Sequence, residues 1–423
     1  MPYRELTPNE TIHCKSGRKL VVDRVMGMGG QGVAYEVHDQ RSRTKGVLKI
    51  LLPPPQTEQD MLFARVKWLV DRNLPDICPV LVGPVDWISD NGLIGHYCSY
   101  ANGETLENVL KSGGLTLLDS LQLSLVVAHG ISKLHEAGVS HGDISWKNVI
   151  VEQLDSVFKV HIIDFDNYYA PGIPEPYCAG QVQFMAPEVR KAFSRHELHA
   201  PDVETDRFSL GIILHQAILQ FNFCAGLEGN VDAFHEAMVS GRWVYDPARK
   251  GKPLDNPGGC PPEALDTDLS RLLRRFPTLD RDQRPTAEEW VQVLSRALFR
   301  VQTCPYCNRA FLLDMAKTCC PHQDCGKTFP TLTLVTASGR SVIIDRGSII
   351  VGRDVLAGSN RVHSKHAVLR RCGPITLLES IGANGVYRRA NTSWVKLPQG
   401  RPIQIRTGDK LLFGDLPAHV MNS

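Results

Sequence analysis

Apolar and polar positions alternate over residues 18–25, resume after a glycine-rich interruption as far as residue 37, and recur over residues 47–50. This predicts three β-strands near the N-terminus. After Pro53-Pro54-Pro55, the residues Thr57 and Asp60 make a cap-like start for a helix whose middle reads Phe63-Ala64-Arg65-Val66-Lys67-Trp68. Densely apolar stretches at 117–135 and 210–219 read as buried helices, and the run 160–163 as a strand. From residue 332 the period shortens to two. Runs at 332–335, 341–344, 348–351, 367–369 and 376–378 predict an all-β region.

A chain of 423 residues is long enough for two or three domains at about 150 residues each. Lys+Arg 47 against Asp+Glu 45 is nearly balanced, so bulk charge gives no reason to expect nucleic acid or a membrane surface as partner. Met1-Pro2-Tyr3-Arg4-Glu5 lacks the apolar core of a signal peptide, and no window approaches about 20 apolar residues, so a cytoplasmic location is expected. Of the 12 cysteines, five fall between Cys304 and Cys325, a clustering that favours a metal site in a reducing compartment over a disulfide scaffold.

Chemistry enters with four segments. Gly27-Met28-Gly29-Gly30-Gln31-Gly32-Val33-Ala34 lies between two strands, not between a strand and a helix, which suits a hairpin lying over nucleotide phosphates. Val47-Leu48-Lys49-Ile50 puts a lysine on the third strand, placed to meet phosphates. His141-Gly142-Asp143-Ile144-Ser145-Trp146-Lys147-Asn148 sets an aspartate five residues before an asparagine. The aspartate can accept a proton from a hydroxyl, and the asparagine can hold a magnesium ion. Asp164-Phe165-Asp166 follows the strand at 160–163, with Asp164 a second magnesium ligand. His135 and His161 read as structural.

Over residues 17–300 these segments resemble the eukaryotic-like (Hanks-type) protein kinases. Ala186-Pro187-Glu188 resembles the end of an activation segment, and Asp206-Arg207-Phe208-Ser209-Leu210-Gly211 the start of the helix after it. Arg284-Pro285 resembles the late arginine that pairs with Glu188. Small-molecule kinases would lack these three marks, so protein is the expected substrate. The resemblance implies a hinge near Tyr97 to Tyr100, and Glu104 at the nucleotide ribose or simply an exposed helix-start acid.

Four departures stand out. Gly142 replaces the usual arginine before the catalytic aspartate. Residues 164–188 contain no serine or threonine, leaving Tyr168, Tyr169 and Tyr177 as the hydroxyls there. Both absences point away from switching by Ser/Thr phosphorylation of this segment. Ser145 and Gln181 replace the lysine and threonine that normally meet beside the catalytic aspartate; Lys147 is a candidate source of the missing charge. Asp166 stands where glycine is usual, restricting the loop. Finally, the helix after Lys49 has no acid in its middle to pair with that lysine; the nearest, Glu58, falls in its first turn.

After residue 300, Cys304-Pro305-Tyr306-Cys307 is followed twelve residues later by Cys319-Cys320-Pro321-His322-Gln323-Asp324-Cys325. Two such turns suit a tetrahedral zinc ribbon. Cys320 with Cys325 is the preferred second pair; Cys319 and His322 are the alternatives. Four protein ligands would leave no open position, so a structural role is expected.

Gly352-Arg353, Val362-His363-Ser364-Lys365-His366-Ala367, Asn384-Gly385 and Gly408-Asp409-Lys410-Leu411-Leu412-Phe413-Gly414-Asp415 resemble a forkhead-associated (FHA) domain. That family is a β-sandwich whose loops bind phosphothreonine peptides. The resemblance implies Arg353 on the phosphate and Asn384 on the peptide backbone. His363 stands where the phosphate-binding serine is usual, with Ser364 next, and Ala383 replaces a polar residue.

The expected fold class is therefore multidomain: an α+β bilobal kinase fold over 1–300, a small zinc ribbon over 301–329 and an all-β FHA sandwich over 330–423. The expected function is ATP-dependent phosphorylation of protein hydroxyls. In it Gly27, Gly29, Gly32, Ala34, Lys49, Tyr97, Tyr100 and Glu104 serve ATP, and Asp143, Lys147, Asn148 and Asp164 serve catalysis. Asn148 and Asp164 would hold Mg2+ or Mn2+. The alternative is a pseudokinase scaffold that binds nucleotide and partners without phosphoryl transfer.

Overall fold

The computed structural model describes residues 4–52, 59–90, 93–154, 157–176, 180–197, 199–220, 233, 236, 260–345 and 347–423. Thr57, Glu58 and Tyr177 lie outside these. The chain divides into two compact units, residues 1–260 with 268–298, and residues 261–267 with 299–423.

The first unit opens with six antiparallel strands, β1 (Thr11–His13), β2 (Lys19–Met28), β3 (Gly32–Asp39), β4 (Lys45–Leu51), β5 (Pro84–Asp90) and β6 (Leu93–Ser99), in the order β1-β2-β3-β4-β6-β5. Alternation explains the layering: Val33, Tyr35, Val37, Leu48, Ile50 and Tyr97 bury one face. Helix α1 (Gln59–Arg72) packs on β5 and β6, with Arg65, Val66 and Leu69 buried. A one-turn α2 (Leu74–Ile77) follows.

The rest of this unit is mainly helical: α3 (Leu106–Ser112), α4 (Leu117–Glu136), α5 (Pro187–Ser194), α6 (Val203–Leu219), α7 (Thr267–Arg275) and α8 (Ala287–Leu298). Thr116 caps α4 and Asp202 caps α6, each through a reciprocal capping box. Helix α4 is the central pillar. It buries Leu121, Val127, Ile131 and Leu134 and packs against α6 and α8. The small sheet of β7 (Glu104–Thr105), β8 (Val149–Leu154) and β9 (Val157–Ile162) carries the loops between these layers.

In the second unit, β10 (Val301–Thr303) and β11 (Ala310–Leu312) form a hairpin beside the cysteines. Two sheets then pack face to face. One runs in the order β13-β12-β21-β20-β17-β18, the other β14-β15-β16-β19. Their strands are β12 (Leu332–Thr336), β13 (Ser341–Ile344), β14 (Ser348–Val351), β15 (Ala367–Cys372), β16 (Ile375–Ser380), β17 (Val386–Ala390), β18 (Ser393–Lys396), β19 (Ile403–Ile405), β20 (Lys410–Phe413) and β21 (Leu416–Asn422). The four-residue helix α9 (Arg353–Leu356) sits at one end. Leu334, Ile344, Leu369, Leu378, Val386 and Phe413 fill the core. The alternation marked the first five strands. It did not mark the last five, of which β18 is exposed along its whole length and β19 has only three residues.

Candidate active site

Strand register builds the roof of the cleft. Gly27 lies opposite Ala34, Ala34 opposite Lys49, and Lys49 opposite His96. Directly opposite residues share a face, so these four form one row across the sheet. Tyr97 falls on the other face, where its ring is buried in the core beneath the Arg18 guanidinium. Its backbone, rather than its ring, is what a hinge here could offer a nucleotide. Tyr100 lies just past the end of β6 under the Lys45 ammonium, and Glu104 is exposed, accepting from Asn108 Nδ2 at 2.9 Å. Gly32 has a steric reason: a Cβ there would stand 2.3 Å from the Ile50 carbonyl oxygen. Gly27 and Gly29 have open space around them, as a hairpin over phosphates needs.

The floor is the loop after α4. Asp206, 1 % exposed, accepts from the backbone N–H groups of His141 (2.6 Å) and Gly142 (3.0 Å) and contacts His135 Nε2 at 3.0 Å. His141 Nε2 donates to the Ile163 carbonyl at 3.0 Å, which ties this loop to the one after β9. Gly142 has φ +76°, and a Cβ there would lie 2.2 Å from the Asn167 carbonyl oxygen. The missing arginine is thus a backbone requirement: position 142 admits no side chain in this conformation.

Asp143 takes a hydrogen bond on each oxygen, from Gln181 N at 2.9 Å and from Asn148 Nδ2 at 3.0 Å. Burial raises its pKa, with the nearby Asp164 charge adding to the effect and the Gln181 N–H opposing it. Asn148 commits its amide nitrogen to Asp143, which leaves its amide oxygen as an acceptor. Ile163 N donates to the Asn148 carbonyl at 2.9 Å and so joins the two halves of the site. Asp164 adopts φ +63°, a left-handed conformation that costs a non-glycine residue energy and is kept at sites that need it. Its Oδ1 lies 2.7 Å from Lys49 Nζ. A hard cation held by an amide oxygen and a carboxylate oxygen would suit Mg2+ or Mn2+.

Lys49 meets a second carboxylate. Asp166 Oδ2 stands 2.6 Å from Lys49 Nζ, and Asp166 Oδ1 stands 2.8 Å from His96 Nε2. Burial works against the charge on His96, but Asp166 more than offsets it, and the imidazole is pushed up to about 10. The two cations hold the Asp166 carboxyl below the usual range despite its burial. Sequence reasoning missed Asp166 as a partner of Lys49. The signal was there as the only acid added to the loop, coinciding with the acid missing from α1.

Arg65 occupies the middle of α1 instead. It is 3 % exposed and donates to the carbonyls of Asp166 (2.9 Å), Tyr168 (2.7 Å) and Pro174. Tyr168 returns a bond from its hydroxyl to the Arg65 carbonyl at 2.9 Å and stacks on Trp68. Its hydroxyl is therefore committed in the folded chain, whereas Tyr169 is half-buried.

Further along the segment, Gln181 Nε2 donates to Ser145 Oγ at 2.6 Å. A neutral hydrogen bond thus replaces the missing lysine–threonine meeting. Lys147 is exposed and makes no hydrogen bond or ion pair among the described residues. Glu188 and the fully buried Arg284 form a bidentate pair at 2.7 and 2.8 Å. That pair locks the end of the segment to the loop before α8.

The protein kinase domain family matches residues 20–294. The chain belongs to the protein kinase family. Among similar curated proteins, the serine/threonine-protein kinase PknD of Mycobacterium tuberculosis is 26 % identical over 259 residues, 60 % of this chain and 36 % of the relative. The probable serine/threonine-protein kinase SCO3848 of Streptomyces coelicolor is 24 % identical over 212 residues, 48 % of this chain and 30 % of the relative. The dual specificity testis-specific protein kinase 1 of Rattus norvegicus is 37 % identical over 203 residues, 45 % of this chain and 30 % of the relative. These kinase matches thus span only about a third of the length of the relatives.

In the kinase's second unit, the thiols of Cys304, Cys307, Cys320 and Cys325 converge, their sulfurs all within 4.8 Å of one another. The Cys304–Cys325 and Cys307–Cys320 sulfur separations are 4.0 and 3.7 Å. A tetrahedron with metal–sulfur bonds of about 2.3 Å has edges of about 3.8 Å, so the donor set fits a thiolate-bound cation. Neither alternative belongs to this group: Cys319 is exposed, and His322 Nε2 donates to the Ala310 carbonyl at 3.1 Å.

At one end of the sandwich, Arg353 opens α9 and is exposed, its Nε on the Val362 carbonyl at 3.0 Å. Asn384 Nδ2 donates to the Arg361 carbonyl at 2.6 Å. His366 joins these loops from below, accepting from His363 N at 2.9 Å and donating to the Gly385 carbonyl at 2.7 Å. His363 and Ser364 are exposed beside them. No helix among the described residues is long and apolar enough to cross a membrane.

Proposed function

We propose that this chain transfers the terminal phosphoryl group of ATP to serine or threonine hydroxyls of a protein substrate. The observation that carries this reading is the assembly, in one cleft, of Lys49 on β4, Asp143 and Asn148 on the loop between α4 and β8, and Asp164 on the loop after β9. Lys49 and the hairpin of Gly27, Gly29 and Gly32 hold phosphates, and Ala34, with the backbone at Tyr97 and Tyr100, borders the nucleotide base. Asp143 orients the substrate hydroxyl and takes its proton; Asn148 and Asp164 hold the divalent cation. The bound Mg2+ or Mn2+ neutralises charge on the phosphates. Lys147 and Glu104 border the site as candidate contacts to the transferred phosphate and the ribose.

The second unit serves the first by recruitment. Cys304, Cys307, Cys320 and Cys325 hold a structural Zn2+ in a reducing cytoplasm. The sandwich acts as an FHA module that captures phosphothreonine-containing partners through Arg353, His363, Ser364 and Asn384. Support for this comes from the exposed guanidinium and carboxamide, both pinned on the 360–362 backbone, with an imidazole and a hydroxyl alongside.

The deciding experiment is transfer of labelled phosphate by the full chain with magnesium or manganese, beside Asp164→Ala. Label carried by the native chain and lost in the variant is the expected result. Equal labelling, or none in either with generic acceptors, would overturn the reading. Metal analysis decides the zinc: about one equivalent is expected, falling away in Cys320→Ser.

A further inference from the structure

We propose that Asp166, with His96 and Arg65 behind it, is the positioning group for Lys49. It does from the magnesium loop what a helix glutamate does in the family pattern. The proposal rests on the kinase reading.

Three observations lead to it. First, Lys49 and His96 are directly opposite on adjacent strands, and the Asp166 carboxylate spans them at 2.6 and 2.8 Å. One oxygen faces each cation, and the Asp166 side chain is only 8 % exposed, so the carboxylate has few other conformations open to it. Second, Lys49 also touches Asp164, but Asp164 is the carboxylate assigned to the divalent cation. When that group serves a metal, Asp166 is the partner that stays with the lysine. Third, α1 still reaches Lys49, through a different route. Its buried Arg65 grips the backbone carbonyls of Asp166 and Tyr168, and the same segment then offers its carboxylate to the lysine. Charge has changed places: the cation is on the helix and the anion is on the loop.

Polarity and burial explain why this arrangement holds. A buried carboxylate between two cations gains from both, whereas removing it would leave His96 without a counter-charge and Lys49 with Asp164 alone, the carboxylate assigned to the divalent cation. Moving Asp166 out of the cleft therefore costs His96 its carboxylate partner and Lys49 the one partner not assigned to a metal. In this geometry Lys49 is fixed without a swing of α1. That agrees with a segment that has no serine or threonine and no arginine before Asp143 to read a phosphate.

The test compares the native full chain with Asp166→Asn, Asp166→Glu and Asp166→Gly. Three quantities are read: kcat and KM for ATP, the Kd of a fluorescent ATP analogue with magnesium, and the melting temperature. Asp166→Asn keeps shape and loses charge. It is expected to lower kcat/KM roughly 10- to 100-fold and to weaken nucleotide binding several-fold at a temperature where it remains folded. Asp166→Glu should recover part of that loss. The sharpest arm is Asp166→Gly, which restores the residue usual in the family and should nonetheless be worse than native. Native-like kcat/KM and Kd in Asp166→Asn would overturn the proposal, as would native-like Asp166→Gly. So would a fall in melting temperature with nucleotide Kd unchanged, which marks a merely structural ion pair. If the native chain transfers no phosphate, the kinase reading fails, and Asp166 is decided by Kd alone. Equal nucleotide affinity in native and Asp166→Asn, or no affinity in either, sinks it.

Discussion

Single residues in this site are best understood through what the backbone allows. Gly142 has a left-handed φ and a carbonyl oxygen where its Cβ would go. Gly142→Arg, the change that would restore the family's usual residue, should therefore cost roughly 1–3 kcal/mol of stability. It should also displace the neighbouring Asp143 and reduce phosphoryl transfer; a denaturant melt beside a transfer assay reads both. His96 gives a pH signature of its own. Its folded pKa, about 10, lies above the ordinary 6.5, so its contribution is fully present below about 6.5 and is lost as pH rises through about 10. The native chain should lose more stability between neutral pH and about pH 10 than His96→Gln does. A slope equal in both would show that the charge on His96 is not held by the fold.

At the scale of elements, pairing across the chain is what binds the catalytic lobe together. Arg284 lies wholly buried before α8 and reaches Glu188 at the start of α5, while also donating to the Glu204 carbonyl at 3.0 Å. Removing Arg284 leaves Glu188 only the part-exposed Arg281, 3.2 Å away, so Arg284→Ala should destabilise by about 3 kcal/mol, the low end for a broken buried pair. Urea denaturation measures it, and a cost under about 1 kcal/mol would mean that the pair is already solvated. This pair was legible in the sequence, because two short motifs flagged its ends. The strands β2, β4 and β12 to β16 were legible too, through their alternation. The role of α1 was not. Its residues 63–68 announce an amphipathic helix with no acid, and nothing in the helix says that Arg65 bonds the carbonyls of a segment about a hundred residues away. The Lys49–Asp166 pair was hidden for the same reason: local patterns report faces, whereas this pair is set by how a loop returns under a sheet. Tyr97 was expected only at a hinge, and the period of two in β6 puts its ring on the other side from His96.

For the whole molecule, the proposed catalysis and the proposed recruitment fall in different compact units, and their independence can be measured. The chain carries a net charge of only +2, so a phosphopeptide gains little from the general field and must depend on a few local cations. Arg353 is the best placed of these, because the Val362 and Asn360 carbonyls hold its Nε and Nη2 while Nη1 is left for a phosphate. Arg353→Ala should thus reduce capture of a phosphothreonine peptide by roughly tenfold or more, with the residual binding less sensitive to salt. The same variant should leave ATP affinity and phosphate transfer to a generic acceptor unchanged. Asp164→Ala should do the reverse, abolishing transfer while peptide capture persists. Titration of a labelled peptide and an ATP assay on both variants reads all four results. If Arg353→Ala also weakened ATP use, or Asp164→Ala also weakened peptide capture, the two sites would be coupled across the chain. Recruitment and catalysis would then belong to one switch rather than to two separable functions.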